Sequence, residues 1–124
     1  MKFGSVLVLG ILGVFCRFVL SSFIQSKIDS PLPISTLIIN VLGCFLMGVV
    51  YVLGVEKSLL SDSLKAGLMV GLLGGFTTFS SYSLELVQLL RSSLYFNFAL
   101  YFLLSQFLGV SATFLGIFMT RLCV

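Results

Sequence analysis

The chain has 124 residues, of which 59% are hydrophobic and only 9% are charged. An average soluble domain is about 25% charged, so this composition excludes a soluble domain and indicates an integral membrane protein in a lipid bilayer. The net charge of +3 is too small and too scattered to indicate a nucleic-acid partner. The absence of histidine removes the commonest general base and metal ligand, so an enzyme is not expected.

Four apolar stretches follow one another along the chain, each long enough to cross a hydrocarbon core that needs about 20 apolar residues per helix. These spans are predicted at about residues 4–24, 34–55, 64–90 and 94–120. They leave no room for a separate soluble domain, so residues 1–124 are expected to form a single all-α transmembrane domain. The N-terminal run has no small-residue cleavage site and is interpreted as a retained first helix.

An even number of spans places both chain termini, and the loop between spans two and three, on one side of the membrane. Basic residues near the span ends divide four to two between the sides: Lys2, Lys57, Lys65 and Arg121 against Lys27 and Arg91. This positive-inside bias is weak, so insertion in both orientations is expected to be possible. Four thin helices barely enclose an aqueous path, so a transport function implies an oligomer.

Two charged residues lie in or near the predicted spans rather than in loops. Arg17 lies inside the apolar run of span one, and Glu85 lies toward the end of span three. Ionisable residues within a membrane are functional candidates by default. Arg17 could hold an anion near a vestibule or cap packed carbonyl groups, and Glu85 could face the mouth of a pathway.

Span two carries an amide well inside its apolar sequence, at Asn40. Burying an amide in hydrocarbon is costly unless the group finds hydrogen-bond partners. Asn40 could join two helices, or it could offer its NH2 group to an anion without carrying a full charge.

Span three contains the densest polar cluster, with five serine and threonine residues between positions 77 and 83, Ser80 among them. Adjacent glycines and then adjacent threonines weaken helix propensity where this cluster begins. We expect a helix broken near its middle, whose freed carbonyl groups could hold a cation. The alternative is a continuous helix whose hydroxyl groups bond back to earlier carbonyls. Phe79 and Tyr82 would present partially positive ring edges to a desolvated anion.

Span four repeats small or polar residues at every fourth position, namely Asn97, Tyr101, Ser105, Gly109 and Thr113. At 3.6 residues per turn this stripe drifts by about 40° per step, so it forms a slowly winding track. The track could line a pathway or form a hydrogen-bonding seam between helices. An uncharged path of amide, hydroxyl and aromatic groups suits a small anion that must bind and then leave, although spacing alone does not identify which anion.

Three segments resemble the CrcB/Fluc family of fluoride channels: residues 10–17, the TLIINVLG segment around Asn40, and the GGFTTFSSYSLE segment that ends at Glu85. The resemblance implies an antiparallel, dual-topology dimer in the cell membrane that exports fluoride passively through two pathways. It also implies a structural sodium ion at the dimer centre, held by the backbone carbonyls of Gly74 and Thr77 from both subunits. The implied fluoride pathway comprises Asn40, Phe79, Ser80, Tyr82, Tyr101 and Ser105.

The chain departs from the family pattern at two positions. Tyr82 replaces a usual phenylalanine, and Gly109 stands where a hydroxyl is common, which water or Thr113 could replace. The family includes paired subunits that work only together, so a heterodimer with a second family member is an alternative to a homodimer. Two other functions are alternatives: a proton-coupled small multidrug exporter, and a non-conducting subunit of a heterodimeric channel. An exporter of this kind would require a carboxylate in span one, and this chain has none there.

Overall fold

The computed structural model describes residues 1–124, and its regular structure is entirely helical. Helix α1 spans Lys2–Lys27, α2 spans Ile34–Glu56 and α5 spans Tyr95–Cys123, and each is long and apolar enough to cross a membrane. The third crossing consists of α3 (residues 62–76) and α4 (Phe79–Arg91), separated by a break. The predicted all-helical membrane architecture is therefore confirmed.

The predicted spans fall close to the observed helices, and the differences lie at the ends. Helix α1 continues to Lys27 because Gln25, Ser26 and Lys27 extend the helix beyond the apolar run on which the prediction rested. Pro31 and Pro33 then interrupt helical structure before α2 begins at Ile34. Helix α5 likewise continues to Cys123, past the predicted end at residue 120.

Two stretches of π-helix were not predicted, Val52–Glu56 at the end of α2 and Gly67–Leu73 within α3. Such wide turns insert an extra residue into the helical repeat and carry no periodic signature in the sequence. In α3 the π-helical stretch is in close contact with α1. A Cβ atom on Gly71 would lie 2.6 Å from the Val6 carbonyl oxygen, so only glycine permits this backbone approach.

An ion pair places the C-terminus beside the loop between α2 and α3, and a charge effect of Lys2 on Asp62 places the N-terminus near the same loop. Arg121 near the C-terminus binds the Glu56 carboxylate with two nitrogens, and its Nε lies 2.9 Å from Glu56 Oε2. Lys65 lies 3.0 Å from Asp62, lowering the pKa of that carboxyl through a hydrogen bond and through its charge, and Lys2 adds a smaller charge effect. Two of the four cations on this side are thus paired with carboxylates.

Candidate functional site

The third crossing is broken at Thr77 and Thr78, where the backbone is extended, as the sequence predicted. Asn40 of α2 holds this break with two hydrogen bonds. Its Nδ2 donates to the Thr78 carbonyl oxygen at 2.9 Å, and its Oδ1 accepts from the Thr78 N–H at 2.8 Å. In a continuous helix that N–H would bond the Gly74 carbonyl, so the Gly74 carbonyl is released.

Local sequence explains why the chain restarts as a helix immediately after the break. Thr78 Oγ1 accepts from the Ser81 N–H at 3.2 Å, which caps the N-terminus of α4. Opposite the break, α2 has Gly43, where a Cβ atom would overlap the Thr77 methyl group. The carbonyl end of α3 and the N–H end of α4 therefore meet against α2, bringing the negative and positive ends of two helix dipoles together.

A cavity of about 320 Å³ lies between α2, the break, α4 and α5, and none of its 12 lining residues carries a formal charge. We refer to it as the neutral cavity. Four residues of the implied fluoride pathway line it, namely Asn40, Phe79, Tyr82 and Ser105. The Phe79 and Tyr82 ring centroids lie 5.8 Å apart. The structure thus brings together around one cavity residues that the sequence separates by up to 65 positions, since Asn40 and Ser105 both line it.

Side chains of the neutral cavity keep hydrogen-bond donors that no protein group accepts. Asn40 uses one of its two amide N–H groups on Thr78 and retains the other. Gln106 Nε2 donates to Tyr82 Oη at 3.2 Å, which leaves its second N–H and the phenolic proton uncommitted. The Ser105 hydroxyl lines the same space. The cavity therefore offers donors to a ligand without offering a fixed positive charge.

Position 109 contributes no donor, and Thr113 does not replace it. The Thr113 hydroxyl donates to the carbonyl oxygens of Cys44 and Gly109, each at 3.2 Å. A Cβ atom on Gly109 would meet only Cys44 Sγ, at 3.5 Å, so there is open space beside the glycine.

A second cavity, also of about 320 Å³, shares Thr78 with the first and contains the two intramembrane charges. We refer to it as the charged cleft. Both carboxylate oxygens of Glu85 are occupied, because the hydroxyls of Thr36 and Tyr101 each donate to one of them at 2.7 Å. Arg17 Nη1 lies 3.5 Å from the Thr77 carbonyl oxygen, at the C-terminal end of α3 where a cation is favoured.

Two residues of the implied pathway lie outside the neutral cavity. Ser80 is on the exposed first turn of α4, with its hydroxyl 3.4 Å from that of Thr78. Tyr101 is 1% exposed and lies behind Tyr82, with ring centroids 5.1 Å apart and its hydroxyl on Glu85. Their roles in conduction stay predictions.

Three cavity residues were not singled out from the sequence, namely Cys44, Met47 and Gln106. Cys44 and Met47 follow Asn40 by four and seven positions, the spacing of one helix face, so that signal was present. Gln106 directly follows Ser105 on α5. It was not predicted because the prediction considered only every fourth residue of that helix.

Residues 5–117 match the family model described as CrcB-like protein, Camphor Resistance (CrcB). Several relatives are named fluoride-specific ion channel FluC. The protein of Azobacteroides pseudotrichonymphae is 38% identical over 112 residues, 90% of each chain. That of Acidithiobacillus ferrooxidans is 38% identical over 114 residues, 92% of this chain and 91% of the relative. That of Aquifex aeolicus is 39% identical over 107 residues, 86% of each chain.

Proposed function

The chain belongs to the CrcB family of fluoride-specific ion channels, and from this we propose that it is the conducting subunit of a fluoride-selective channel that works as an antiparallel, dual-topology dimer. It is a multi-pass protein of the cell membrane, and its relatives are named as ion channels, not enzymes. Fluoride would leave the cytoplasm by passive electrodiffusion. A negative-inside potential favours that exit by about 2.3 kcal/mol per charge per 100 mV.

The observation that carries this proposal is the neutral cavity with its uncommitted donors. A fluoride ion entering lipid must exchange its water shell for protein groups, and N–H or O–H donors in a low-dielectric site bind an anion strongly. A lysine or arginine in the same place would hold the ion too tightly for rapid release. The N-terminus of α4 begins at the cavity wall and adds a partial positive charge there.

The antiparallel dimer and its sodium ion are supported by an open groove of about 880 Å³ on α1 and α3 beside the break. Gly10, Gly71 and Gly75 pack α1 against α3 within the chain, whereas a Cβ atom on Gly74 would meet only the Met69 carbonyl oxygen of its own helix, at 3.7 Å. The groove is therefore open at Gly74, where a small residue lets a second copy approach closely in a membrane. Carbonyl oxygens are suitable ligands for a hard cation, and the Gly74 carbonyl lacks its helical partner. The Gly74 and Thr77 carbonyls of both copies would hold sodium, whose charge would neutralise these converging oxygens.

Reconstitution of the purified chain in liposomes tests the function. Vesicles loaded with potassium fluoride should empty rapidly once valinomycin carries the counter-charge, and vesicles loaded with potassium chloride should hardly empty. Phe79→Leu removes the ring edge at the cavity and should slow fluoride release. Phe107→Leu changes a similarly exposed ring on α5 that does not line the cavity and should not.

Three other outcomes are informative. Equal release of fluoride and chloride would contradict selectivity, and release driven only by a proton gradient would favour an exporter. A chain that is inactive alone but conducts with a second family member would be one half of a heterodimer.

Purification with N-methylglucamine in place of sodium should lower the dimer fraction seen by cross-linking, and an unchanged fraction would contradict the sodium site.

A further inference from the structure

We propose that the Tyr82 hydroxyl donates a hydrogen bond directly to fluoride in the neutral cavity, and that Gln106 is the positioning residue that orients it. This inference rests on the proposed function and deepens it. The family resemblance does not supply it, because the usual residue at position 82 is phenylalanine, which has no hydroxyl.

The Tyr82 ring is held in one orientation. The residue is 5% exposed, and its ring packs against Phe79 at 5.8 Å and edge-on against Tyr101 at 5.1 Å. Because the ring is fixed, the phenolic proton can move only by rotation about the C–O bond. Gln106 restricts that rotation because its Nε2 donates to Tyr82 Oη at 3.2 Å and occupies one side of the oxygen. The proton is therefore left on the opposite side, free to donate.

The hydrogen bond from Gln106 to Tyr82 strengthens the bond that the Tyr82 hydroxyl donates to fluoride. An amide N–H that donates to a hydroxyl polarises that hydroxyl and makes it a better donor in turn. An O–H group donating to an anion forms a short, charge-assisted hydrogen bond. Fluoride is smaller than chloride and gains more from such a bond, but it also gives up a larger hydration energy. The Tyr82 hydroxyl, polarised by Gln106, therefore offsets part of the dehydration cost that would otherwise keep fluoride out of the cavity.

The Tyr82 hydroxyl also compensates for a missing donor on the facing helix, α5. Gly109 has no side chain, and the Thr113 hydroxyl gives its proton to backbone carbonyls. Beyond Ser105, the α5 track therefore offers fluoride no hydroxyl proton inside the cavity. The Tyr82 hydroxyl supplies a donor to the same space from α4.

A double-mutant cycle tests the inference in liposomes. Tyr82→Phe keeps the ring and removes the hydroxyl, so fluoride release at low fluoride should slow about tenfold, the effect of losing one hydrogen bond to a charge. The fluoride-to-chloride ratio should fall with it. Gln106→Leu should slow release similarly in the original chain but should add nothing in the Tyr82→Phe background. Gln88→Leu changes an exposed glutamine of α4 outside the cavity and is the matched control.

A spectroscopic readout separates this inference from the proposed function. Fluoride added to the purified protein in detergent should perturb the ultraviolet absorbance of tyrosine, and equal chloride should not. The change should disappear in Tyr82→Phe and shrink in Gln106→Leu. The inference is overturned if the spectrum does not respond, if Tyr82→Phe matches the original chain in rate and selectivity, or if the two substitutions act additively. The proposed function fails instead if the original chain releases no fluoride, whatever the spectrum shows.

Discussion

The neutral cavity and the charged cleft have the same volume, about 320 Å³, and share Thr78 as a common wall, yet their polar groups differ. In the charged cleft, the hydroxyls of Thr36 and Tyr101 each donate to one oxygen of Glu85, and Arg17 carries a full positive charge whose one hydrogen bond is to the Thr77 carbonyl at 3.5 Å. In the neutral cavity, Asn40 and Gln106 each retain an N–H group without a protein acceptor, and no lining residue is charged. The comparison therefore separates a region that contains a carboxylate and a fixed cation from one that offers a ligand only neutral donors.

The largest expected effect comes from Asn40, the residue that joins the neutral cavity to the break. Asn40→Leu leaves the N–H and carbonyl of Thr78 unpaired, which costs about 1–3 kcal/mol for each group. Fluoride release should fall by at least about a hundredfold, and thermal unfolding in detergent should begin at a lower temperature. Asn40→Asp keeps an acceptor for the Thr78 N–H but replaces the donor with a second oxygen that repels fluoride. Release at the original rate in either variant would exclude this cavity as the pathway.

Thiol chemistry distinguishes the neutral cavity from the rest of the surface. Cys44 lines the cavity beside Gly109, whereas Cys16 and Cys123 are exposed elsewhere. Silver ions or a methanethiosulfonate reagent should slow fluoride release more than about tenfold, because an adduct on Cys44 occupies the space the ion needs. Cys44→Ala should be insensitive relative to its own untreated rate, while Cys16→Ala and Cys123→Ala should stay sensitive. Continued block of Cys44→Ala would place the reactive thiol outside the pathway.

A smaller effect on conduction is expected in the charged cleft. Thr36→Val and Tyr101→Phe each remove one hydrogen bond from the Glu85 carboxylate and should each lower stability by about 1–3 kcal/mol. The double variant should lose more than the sum because both bonds serve one carboxylate. Denaturation in detergent measures these losses. If Tyr101→Phe instead stops fluoride release without loss of stability, Tyr101 belongs to the conducting path, as the family resemblance implied.

The smallest effect is expected at the exposed pair of Arg121 and Glu56. Arg121 lowers the pKa of Glu56, chiefly through their hydrogen bond, so this carboxyl stabilises the fold at neutral pH. That contribution is lost as the pH falls through the lowered pKa of this carboxyl. Solvent screens the pair, so Glu56→Gln should shift the melting temperature by less than about 2 °C at pH 7. A larger shift would show that this surface contact matters as much as the cleft.

The sequence allowed the break in the third crossing to be predicted, because glycines followed by two threonines weaken a helix wherever they occur. It did not reveal that Asn40 holds the break. That pairing joins groups 38 positions apart, and it depends on where α2 packs. Sequence reasoning left Asn40 with two alternatives. The structure shows the first, because Asn40 joins α2 to the backbone of the break, and the second, donation to an anion by the remaining N–H, stays a prediction.

The aromatic pair and Ser105 were predicted to belong to a fluoride pathway, from a local pattern and the family resemblance. All three line the neutral cavity, and their role in conduction stays a prediction. Gln106 was not predicted because a spacing of four residues selects one line along a helix, whereas the helix repeats every 3.6 residues and its neighbours can face the same cavity. The hydrogen bond from Tyr101 to Glu85 could not be predicted either, because it depends on how α4 and α5 pack against each other.

The two bonds between Asn40 and Thr78 also have a consequence for biogenesis. An interrupted helix surrounded by lipid would leave its backbone unpaired at a cost of several kcal/mol, so residues 62–91 gain nothing from breaking while they are alone. This segment would therefore leave the translocon as one straight helix and break only on meeting α2, which is synthesised before it. Insertion and completion of the binding site would be successive events, and a mutant can fail at the second while crossing the membrane normally.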